Sequence, residues 1–510
     1  MASRRDELNA YTFAKRRTVA AFLQPSAAGT EEGAPRPLRA IVPGLVAGAL
    51  LLGAFGAWGM FRPVAPKNWD APGTRVIVGA QSTTRYVVLR TTVDGRQRTR
   101  LHPVLNLASA RLVLDPAAFE VVRVQDALLD QGKLPRGPVL GIPYAPDRLP
   151  APEDAGRAKR WAVCQQPGGN GRGVQSAVFV LAAREEGVTD GAHRLADTQA
   201  LYVQSADGAR ERYLVDSTGT KYRFPEGAAD AGTMTDALVG TGAVPQQVTR
   251  AWLATLETGD DLAFPQLPAG GAGGVGADAG VRGLSAGEGR VGMVLRAMTG
   301  SGAQHYVVLP GKVVPVSDFV AWLLISSPAT DALDMHGAPR EVDLQSLHPD
   351  PSRFAGTAKW PRKKVERVNQ TTPAPVPPAG TAGGRDTVCN VLRAVDARGK
   401  PTLSTWAGTG FPVDLTAGGA GAYVTPGSGL LYTQLQGRQT TAGGSLFLVT
   451  DTGLRYAVQT DGDGRARPGQ AQTRLGYGAV APAPVPIAWS EFLSKGPRLD
   501  TDAARQPQGS

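Results

Sequence analysis

A continuous apolar run near the N-terminus is the strongest constraint on how this chain can fold. The twenty-one residues from Ile41 to Phe61 carry no charged side chain, and no other apolar stretch in the 510 residues is as long. A helix of this length extends about 31 Å, close to the thickness of a bilayer's hydrocarbon core, and it satisfies its own backbone hydrogen bonds there. The sequence therefore predicts one transmembrane helix with its ends at Ile41 and Phe61.

Two other interpretations of the run are a cleaved signal peptide and a buried core helix. The apolar core of a signal peptide usually spans about 7–15 residues, and the polar segment before this run is unusually long. A helix without a polar face over five turns is uncommon in soluble proteins. The membrane-spanning interpretation is favoured over both.

The charges around the run predict its orientation. The forty residues before it hold seven basic and four acidic side chains, a net charge of +3. Short basic flanks stay in the cytoplasm, whereas the charges of a long following domain contribute little. We therefore expect a single-pass inner-membrane protein with a cytosolic N-terminus and the bulk of the chain outside the cytoplasm.

The tail before the run contains a predicted amphipathic helix at residues 3–24. Leu8, Tyr11, Val19 and Phe22 recur at helical spacing on one side, and arginines occupy the other. Such a helix is suited to the inner membrane surface or to docking against a partner protein, and a short solvated helix is the remaining alternative.

The chain has two cysteines, Cys164 and Cys389, and both fall in the part predicted to be exported. An oxidising compartment favours one disulfide, which would remove on the order of 5 kcal/mol of chain entropy from the unfolded state. Two buried free thiols remain the alternative, because the sequence does not place the two Cα atoms within bridging distance.

The exported region repeats itself. Residues 213–222 read YLVDSTGTKY and residues 447–456 read FLVTDTGLRY, each a strand, a turn with glycine at the same place, and a return strand. Downstream, each copy leads through a glycine-rich turn to a short helix with a tryptophan, Trp252 or Trp489.

A weaker similarity relates RYVVL at 85–89 to HYVVL at 305–309. Four copies of one small α/β unit around a central β domain are therefore predicted. The expected fold class is α+β, with an N-terminal amphipathic helix, one transmembrane helix and an elongated pseudo-twofold ectodomain. The predicted domains are a cytosolic tail at 1–40, the transmembrane helix at 41–61, repeat 1 at 73–130, the first part of the central β domain at 131–199, repeat 2 at 200–265, repeat 3 at 290–327, a linker with the second part of the central domain at 328–429, repeat 4 at 430–496 and a disordered tail at 497–510.

Composition and motifs favour a structural role over catalysis. The net charge of +10 is spread along the exported region, so a basic exterior facing anionic lipid or wall polymer is favoured over nucleic-acid binding. The sequence contains no P-loop, HExxH motif, Cys/His cluster or GxSxG elbow. We therefore predict no catalytic, cofactor-binding or metal-ligating residues and no cofactor.

The motifs together resemble a known family. SRRDELNAYTFAKRRTVAAFL at 3–23, PRPLR at 35–39, the four repeats and the two distant cysteines are similar to EccB, the single-span membrane component of actinobacterial type VII (ESX) secretion systems. The resemblance covers nearly the whole chain.

The resemblance implies a subunit of an inner-membrane secretion complex that self-associates and contacts an EccC-like ATPase, an EccD-like channel, an EccE-like subunit and a mycosin protease. It also implies that Cys164 and Cys389 form the family's disulfide. The implied partner-docking residues are Leu8, Tyr11, Arg16, Arg17 and Phe22.

The expected function is a non-enzymatic scaffold that supports assembly of the complex and the exit path on its outer side. The alternative is an ATP-hydrolysing subunit of the same system, since family members are sometimes labelled ATPases. A third hypothesis is an anchor that binds wall polymer.

Overall fold

A computed structural model describes residues 4–23, 38–61, 66–93, 95–168, 173–268, 273–369, 384–415, 421–437, 444–460 and 469–508. The described chain is an α+β fold built mostly of sheets with few helices, and it begins with the predicted N-terminal helix. The α+β class and the N-terminal helix are therefore confirmed.

The elements of the first half, in chain order, are α1 Arg4–Leu23, α2 Leu38–Phe61, β1 Arg75–Gly79, β2 Arg85–Val93, β3 Arg96–Val104, α3 Leu107–Val113, β4 Glu120–Val124, α4 Asp126–Asp130, α5 Pro152–Ala155, β5 Arg160–Pro167, β6 Val174–Leu181, β7 Gln199–Ser205, β8 Arg212–Asp216, β9 Thr220–Arg223, α6 Ala231–Val239, β10 Gln246–Val248, α7 Arg250–Leu253 and β11 Glu257–Thr258.

The elements of the second half are β12 Val294–Thr299, β13 Gly302–Leu309, β14 Lys312–Val316, α8 Asp318–Ile325, β15 Arg340–Glu341, β16 Glu366–Arg367, β17 Thr387–Val395, β18 Pro401–Gly408, β19 Ala422–Val424, β20 Leu430–Leu435, β21 Ser445–Val449, β22 Leu454–Ala457, α9 Gln470–Arg474, β23 Ala483–Pro486, α10 Ile487–Ser490, β24 Ser494–Lys495 and α11 Thr501–Arg505.

Two sheets share one topology, with strand orders β3–β2–β1–β4 (sheet 1) and β14–β13–β12–β15 (sheet 3). In each, three successive antiparallel strands lead to a helix, and the chain then returns parallel to the first strand. RYVVL lies in β2 and HYVVL in β13, the middle strand of each antiparallel series. The two related pentapeptides therefore occupy equivalent places in their sheets.

Two further sheets share a second topology, β10–β7–β8–β9–β11 (sheet 2, with β16 also on β7) and β23–β20–β21–β22–β24 (sheet 4). The turn between the second and third strand has its glycine in the left-handed region in both copies, Gly219 at φ 75° and Gly453 at φ 77°. Glycine reaches that conformation without steric cost, so one turn chemistry serves both copies.

The central sheet has the order β18–β17–β5–β6–β19. Strands β5 and β17 are antiparallel neighbours, and Cys164 lies directly opposite Cys389. The two residues form a disulfide with Cα atoms 4.0 Å apart, across a sequence separation of 225. The expected disulfide is confirmed.

Shared hydrophobic cores place the five sheets next to one another. The largest core combines the central sheet with sheets 2 and 4, and it buries Trp161, Trp252 and Trp489 almost completely. A second core joins sheet 4 to sheet 1, and another joins sheet 2 to helix α8 of sheet 3. The sheets therefore follow one another in space as 3, 2, central, 4 and 1. The predicted domain boundaries stay a prediction.

The prediction of a disordered tail at 497–510 is wrong for the described residues 497–508. Leu499 and Ala504 are fully buried in the core shared by sheets 1 and 4, and Asp500 caps helix α11 by accepting from two backbone N–H groups. The amide of Gln508 also donates to the Val139 carbonyl at 2.8 Å. Contacts with distant parts of the chain order this segment, and the amino-acid composition of the segment does not reveal them.

An ion cluster reinforces the pairing of β5 with β17. Asp190 accepts from Arg160 of β5 at 2.7 Å and from Arg393 of β17 at 2.8 Å. Burial acts to raise the pKa of the Asp190 carboxyl, but the hydrogen bonds from the two arginines outweigh it and hold the pKa below its usual value. The carboxylate thus neutralises two like charges at the same end of neighbouring strands.

We expect Asp190→Asn to lower the free energy of unfolding by about 1–2 kcal/mol at neutral pH, because two partly buried arginines lose the carboxylate that they share, and Arg160 keeps only its ion pair with Glu186. The stability from a depressed carboxyl pKa is present above the unfolded-state value and is lost as pH falls through the folded value. The gap between wild type and variant should therefore close below about pH 4. Urea denaturation at several pH values measures it, with the exposed Asp236→Asn as control; a gap that persists in acid would contradict the ion cluster.

Removal of the disulfide should destabilise the sheets as a group. We expect Cys164→Ala with Cys389→Ala to lower the free energy of unfolding by about 3–5 kcal/mol, because the open chain gains the entropy that the crosslink removes. Urea unfolding followed by the fluorescence of the buried tryptophans measures the loss. Wild type with reductant should match the variant, and an unchanged midpoint in both would show that the crosslink does not stabilise the fold.

Candidate interaction sites

The N-terminal helix α1 presents an uncovered apolar stripe. Leu8 is 66 %, Tyr11 70 % and Phe22 90 % exposed, and no residue of the helix is buried. Together with Val19 they lie at positions 8, 11, 19 and 22, separated by three, eight and three residues, and this spacing places them along one face of the helix. The predicted docking residues Arg16 and Arg17 are also exposed on this helix. Exposed apolar side chains in a row are typical of a surface that binds another surface.

Helix α2 contains the long apolar run. It begins at Leu38, three residues before the predicted end at Ile41, and it ends at Phe61. Large apolar side chains such as Leu45, Leu52 and Phe55 are exposed along it. Within the described residues, no helix meets the combined length and apolarity needed for a membrane crossing. The membrane crossing predicted for this run is thus not confirmed.

Polar side chains next to each cysteine fix sheet 2 to the central sheet. Gln165 accepts from the amide of Thr249, which caps helix α7, at 2.8 Å and donates back to its hydroxyl at 2.6 Å. Asn390 donates to the Thr255 carbonyl at 2.9 Å. Both amide side chains are fully buried, so these bonds lie where water does not compete with them. The arrangement resists sliding of the two sheets and has no feature of a reactive site.

A cleft of about 550 Å³ lies at the start of helix α8 in sheet 3. Its lining includes Asp318, which contacts His305 at 2.9 Å, and Lys363, which pairs with Asp197 at 2.7 Å. Arg353 and Arg362 also line it and form no ion pair with any described residue. Guanidinium groups suit an anion, but VPVS at 314–317 precedes the helix rather than the glycine-rich loop of a nucleotide site.

The hairpin formed by β2 and β3 carries a row of arginines that was not among the predicted site residues. Arg90, Arg96 and Arg98 are exposed there, on two strands paired from Arg85 with Val104 to Val93 with Arg96. The alternation in RQRTR at 96–100 was the available signal, since side chains of alternate residues share one face of a strand. We call residues 90–93 and 95–99 the arginine hairpin.

No group of three or more His, Cys, Asp or Glu side chains among the described residues is arranged to hold a metal ion. The predicted docking residues of α1 and the predicted anchor ends of α2 lie on two separate helices, and both cysteines lie in the central sheet. The structure therefore presents candidate surfaces for association, distributed over several elements.

Comparison with known proteins gives one consistent family. A family profile described as "Type VII secretion system ESX-1, transport TM domain B" matches residues 1–509. The chain is 29 % identical to "ESX-3 secretion system ATPase EccB3" of Mycolicibacterium smegmatis over 449 residues, 84 % of this chain and 77 % of the relative. It is 28 % identical to "ESX-2 secretion system ATPase EccB2" of Mycobacterium tuberculosis, over 90 % of this chain and 87 % of that protein.

Solved structures show the same fold. The chain resembles an EccB3 dimer from the ESX-3 core complex with a TM-score of 0.55 and 26 % identity, over 84 % of this chain and 99 % of that one. It also resembles a chain of an intact ESX-5 inner-membrane complex with a TM-score of 0.56 and 21 % identity, over 100 % and 96 % of the two chains. With the profile match over nearly its whole length, the chain belongs to the EccB family of type VII (ESX) secretion systems.

Proposed function

We propose that this chain is a structural subunit of a type VII secretion inner-membrane complex. Helix α1 joins it to the complex, helix α2 anchors it in the membrane, and the five sheets extend outward. The observation that carries the proposal is the succession of an exposed helix with an apolar stripe, a second helix of 24 residues with exposed apolar side chains, and a sheet body closed by a disulfide. Helix α1 suits the cytosolic side, helix α2 the membrane, and the sheet body the outer side.

The anchoring step rests on the length and composition of α2. Twenty-four helical residues extend about 36 Å, enough for the hydrocarbon core of a bilayer. The run from Ile41 to Phe61 has no charge, and the basic tail before it favours a cytosolic N-terminus. The disulfide supports an extracytoplasmic place for the sheets, because such bonds persist in oxidising compartments.

The scaffolding step rests on the sheets. Sheets 1 and 3 share one topology and sheets 2 and 4 share another, and we propose that they are four repeats in pseudo-twofold arrangement around the central sheet. Continuous cores from sheet 3 to sheet 1 make the body stiff, as a spacer and assembly platform along an exit path requires. The likeness to the solved EccB3 dimer from the ESX-3 core complex supports self-association.

The partners that we propose are an EccC-like ATPase and an EccD-like channel for the cytosolic and membrane parts, and an EccE-like subunit and a mycosin protease for the rest of the complex. The predicted docking residues on α1 form the first of these contacts. An ATP-hydrolysing subunit is the second candidate function, because the curated relatives carry the word ATPase in their names and the cleft beside α8 holds two arginines without described ion pairs. The absence of a P-loop in the sequence favours the structural role.

We expect Tyr11→Ala with Phe22→Ala to reduce the EccC-like and EccD-like proteins that co-purify with the tagged full chain by more than tenfold. Buried aromatic anchors each contribute on the order of 2 kcal/mol to an interface. The matched control is Phe13→Ala, which removes an aromatic side chain 62 % exposed on the opposite face of the same helix. Equal recovery of both partners with the double variant would refute docking through this stripe.

For the second candidate, we expect the purified full chain to release phosphate from ATP no faster than its Arg353→Gln with Arg362→Gln variant, prepared in parallel. Two cleft arginines would hold the phosphates of a nucleotide bound there, so their loss should abolish turnover that belongs to this chain. Hydrolysis by wild type that the variant lacks would replace the structural role with the enzymatic one.

A further inference from the structure

The hairpin of sheet 1 is longer than its counterpart in sheet 3. In sheet 3, Leu309 pairs with Lys312, so two residues connect β13 to β14. In sheet 1, the equivalent Leu89 pairs with Arg100, so ten residues lie between them. Since the two sheets share one strand order, the additional eight residues are an extension of sheet 1 that the common topology does not require.

The extension is basic and exposed. Arg90, Arg96 and Arg98 are all solvent-exposed, and none of them forms an ion pair with a described residue. The register places Arg96 and Arg98 on one face of β3, while Arg90 pairs with Thr99 and lies on the other face of the ribbon. A thin ribbon with guanidinium groups on both faces, none of them in an ion pair with a described residue, attracts anions, and guanidinium matches phosphate oxygens in pairs of hydrogen bonds.

The extension points toward the end of the sheet at which the chain arrives from α2. Strand β1 runs antiparallel to β2 with Val76 opposite Val87, so the first residue of β1 lies at the hairpin end of β2. The amide of Gly73 donates to the Val88 carbonyl at 2.8 Å, which fixes the incoming segment beside the point where the extension begins.

The segment that connects α2 to the core of sheet 1 is short. Trp69 is 8 % exposed and belongs to the core formed with Val88 and Leu101. Only seven residues lie between it and Phe61, the last residue of α2, and the eight Cα–Cα steps from Phe61 to Trp69 span at most about 28 Å. If α2 is in the membrane, the sheet-1 end that carries the arginines is held close to the membrane surface.

We propose that the arginine hairpin binds the anionic phospholipid headgroups of the leaflet from which α2 emerges. The proposal rests on the anchoring role of α2 in the proposed function. The contact adds a second, electrostatic attachment beside the helix and so orients sheet 1 against the membrane. Attraction to an anionic surface falls off within a Debye length, about 8 Å at physiological ionic strength. The contact therefore requires the hairpin to approach the membrane surface closely, which a connection of at most about 28 Å permits.

The experiment uses the full chain in nanodiscs. Gln97→Cys places a fluorophore on the extension, and the two native cysteines do not compete for the label because they are joined in the disulfide. Nanodiscs of phosphatidylcholine, with or without phosphatidylglycerol, carry a lipid with a quencher at its headgroup. We expect the fluorophore to be quenched in the discs that contain phosphatidylglycerol, and we expect high salt to abolish this quenching.

The variant Arg90→Gln with Arg96→Gln and Arg98→Gln should lose this quenching, with a fall of about fivefold in the lipid-bound population for each arginine near an anionic surface. The matched control, Arg210→Gln with Arg282→Gln and Arg398→Gln, removes the same charge from exposed positions elsewhere and should leave quenching unchanged. A label at Ser301→Cys, in a turn of sheet 3, should respond to neither lipid.

The outcomes separate the two levels of inference. A chain that does not enter the nanodiscs overturns the anchor and this proposal with it. A chain that enters but shows the same quenching in both lipids, or keeps it in the hairpin variant, overturns the lipid contact alone. Loss of quenching when partner subunits are added, with protection of the label in their presence, would assign the hairpin to an acidic protein surface instead.

Discussion

The antiparallel pairing of β5 with β17 is the interaction on which the rest of the body depends. It brings together two segments separated by 225 residues and holds them with a disulfide on one face and with Asp190 between two arginines at one end. The opposite face packs into the core that also receives sheets 2 and 4. Without this pairing, neither flanking sheet has a common surface on which to assemble.

The side chains beside the cysteines show that strands β5 and β17 form the disulfide on one face and contact sheet 2 on the other. Neighbouring residues on a strand point to opposite sides, so Cys164 faces the smaller core with Phe179, while Gln165 reaches the cap of α7. Beside Cys389, Asn390 likewise faces sheet 2, and it donates to the carbonyl of Thr255, just after helix α7. One register therefore fixes the crosslink and the seat of sheet 2 together, since a slip by one residue would exchange the two faces.

Elements that distinguish one copy from another lie outside the shared topology. Sheets 1 and 3 have the same strand order, yet sheet 1 alone follows α2 and has the long hairpin, while sheet 3 has the cleft beside α8. The two copies therefore differ in additions to one shared sheet rather than in the sheet itself.

Local sequence patterns were sufficient to predict part of the fold. The α+β class and the N-terminal helix follow from short-range periodicity, and the compartment argument favoured the disulfide that the structure contains. Contacts between distant residues were beyond reach. Asp190 meets Arg393 across 203 positions, and Leu499 becomes buried only because sheets 1 and 4 provide its surroundings. The arginine hairpin was visible as RQRTR, but its direction requires the register of β1 with β2.

The placement of helix α11 has a consequence for how the molecule matures. Its buried Ala504 completes a core shared with α3, an element near the beginning of the chain. A chain is made from its N-terminus, so the core of sheet 1 stays unfinished until the segment from Leu499 to Arg505 is available to pack against it. A chain cut before Leu499 would therefore leave apolar surface of α3 uncovered.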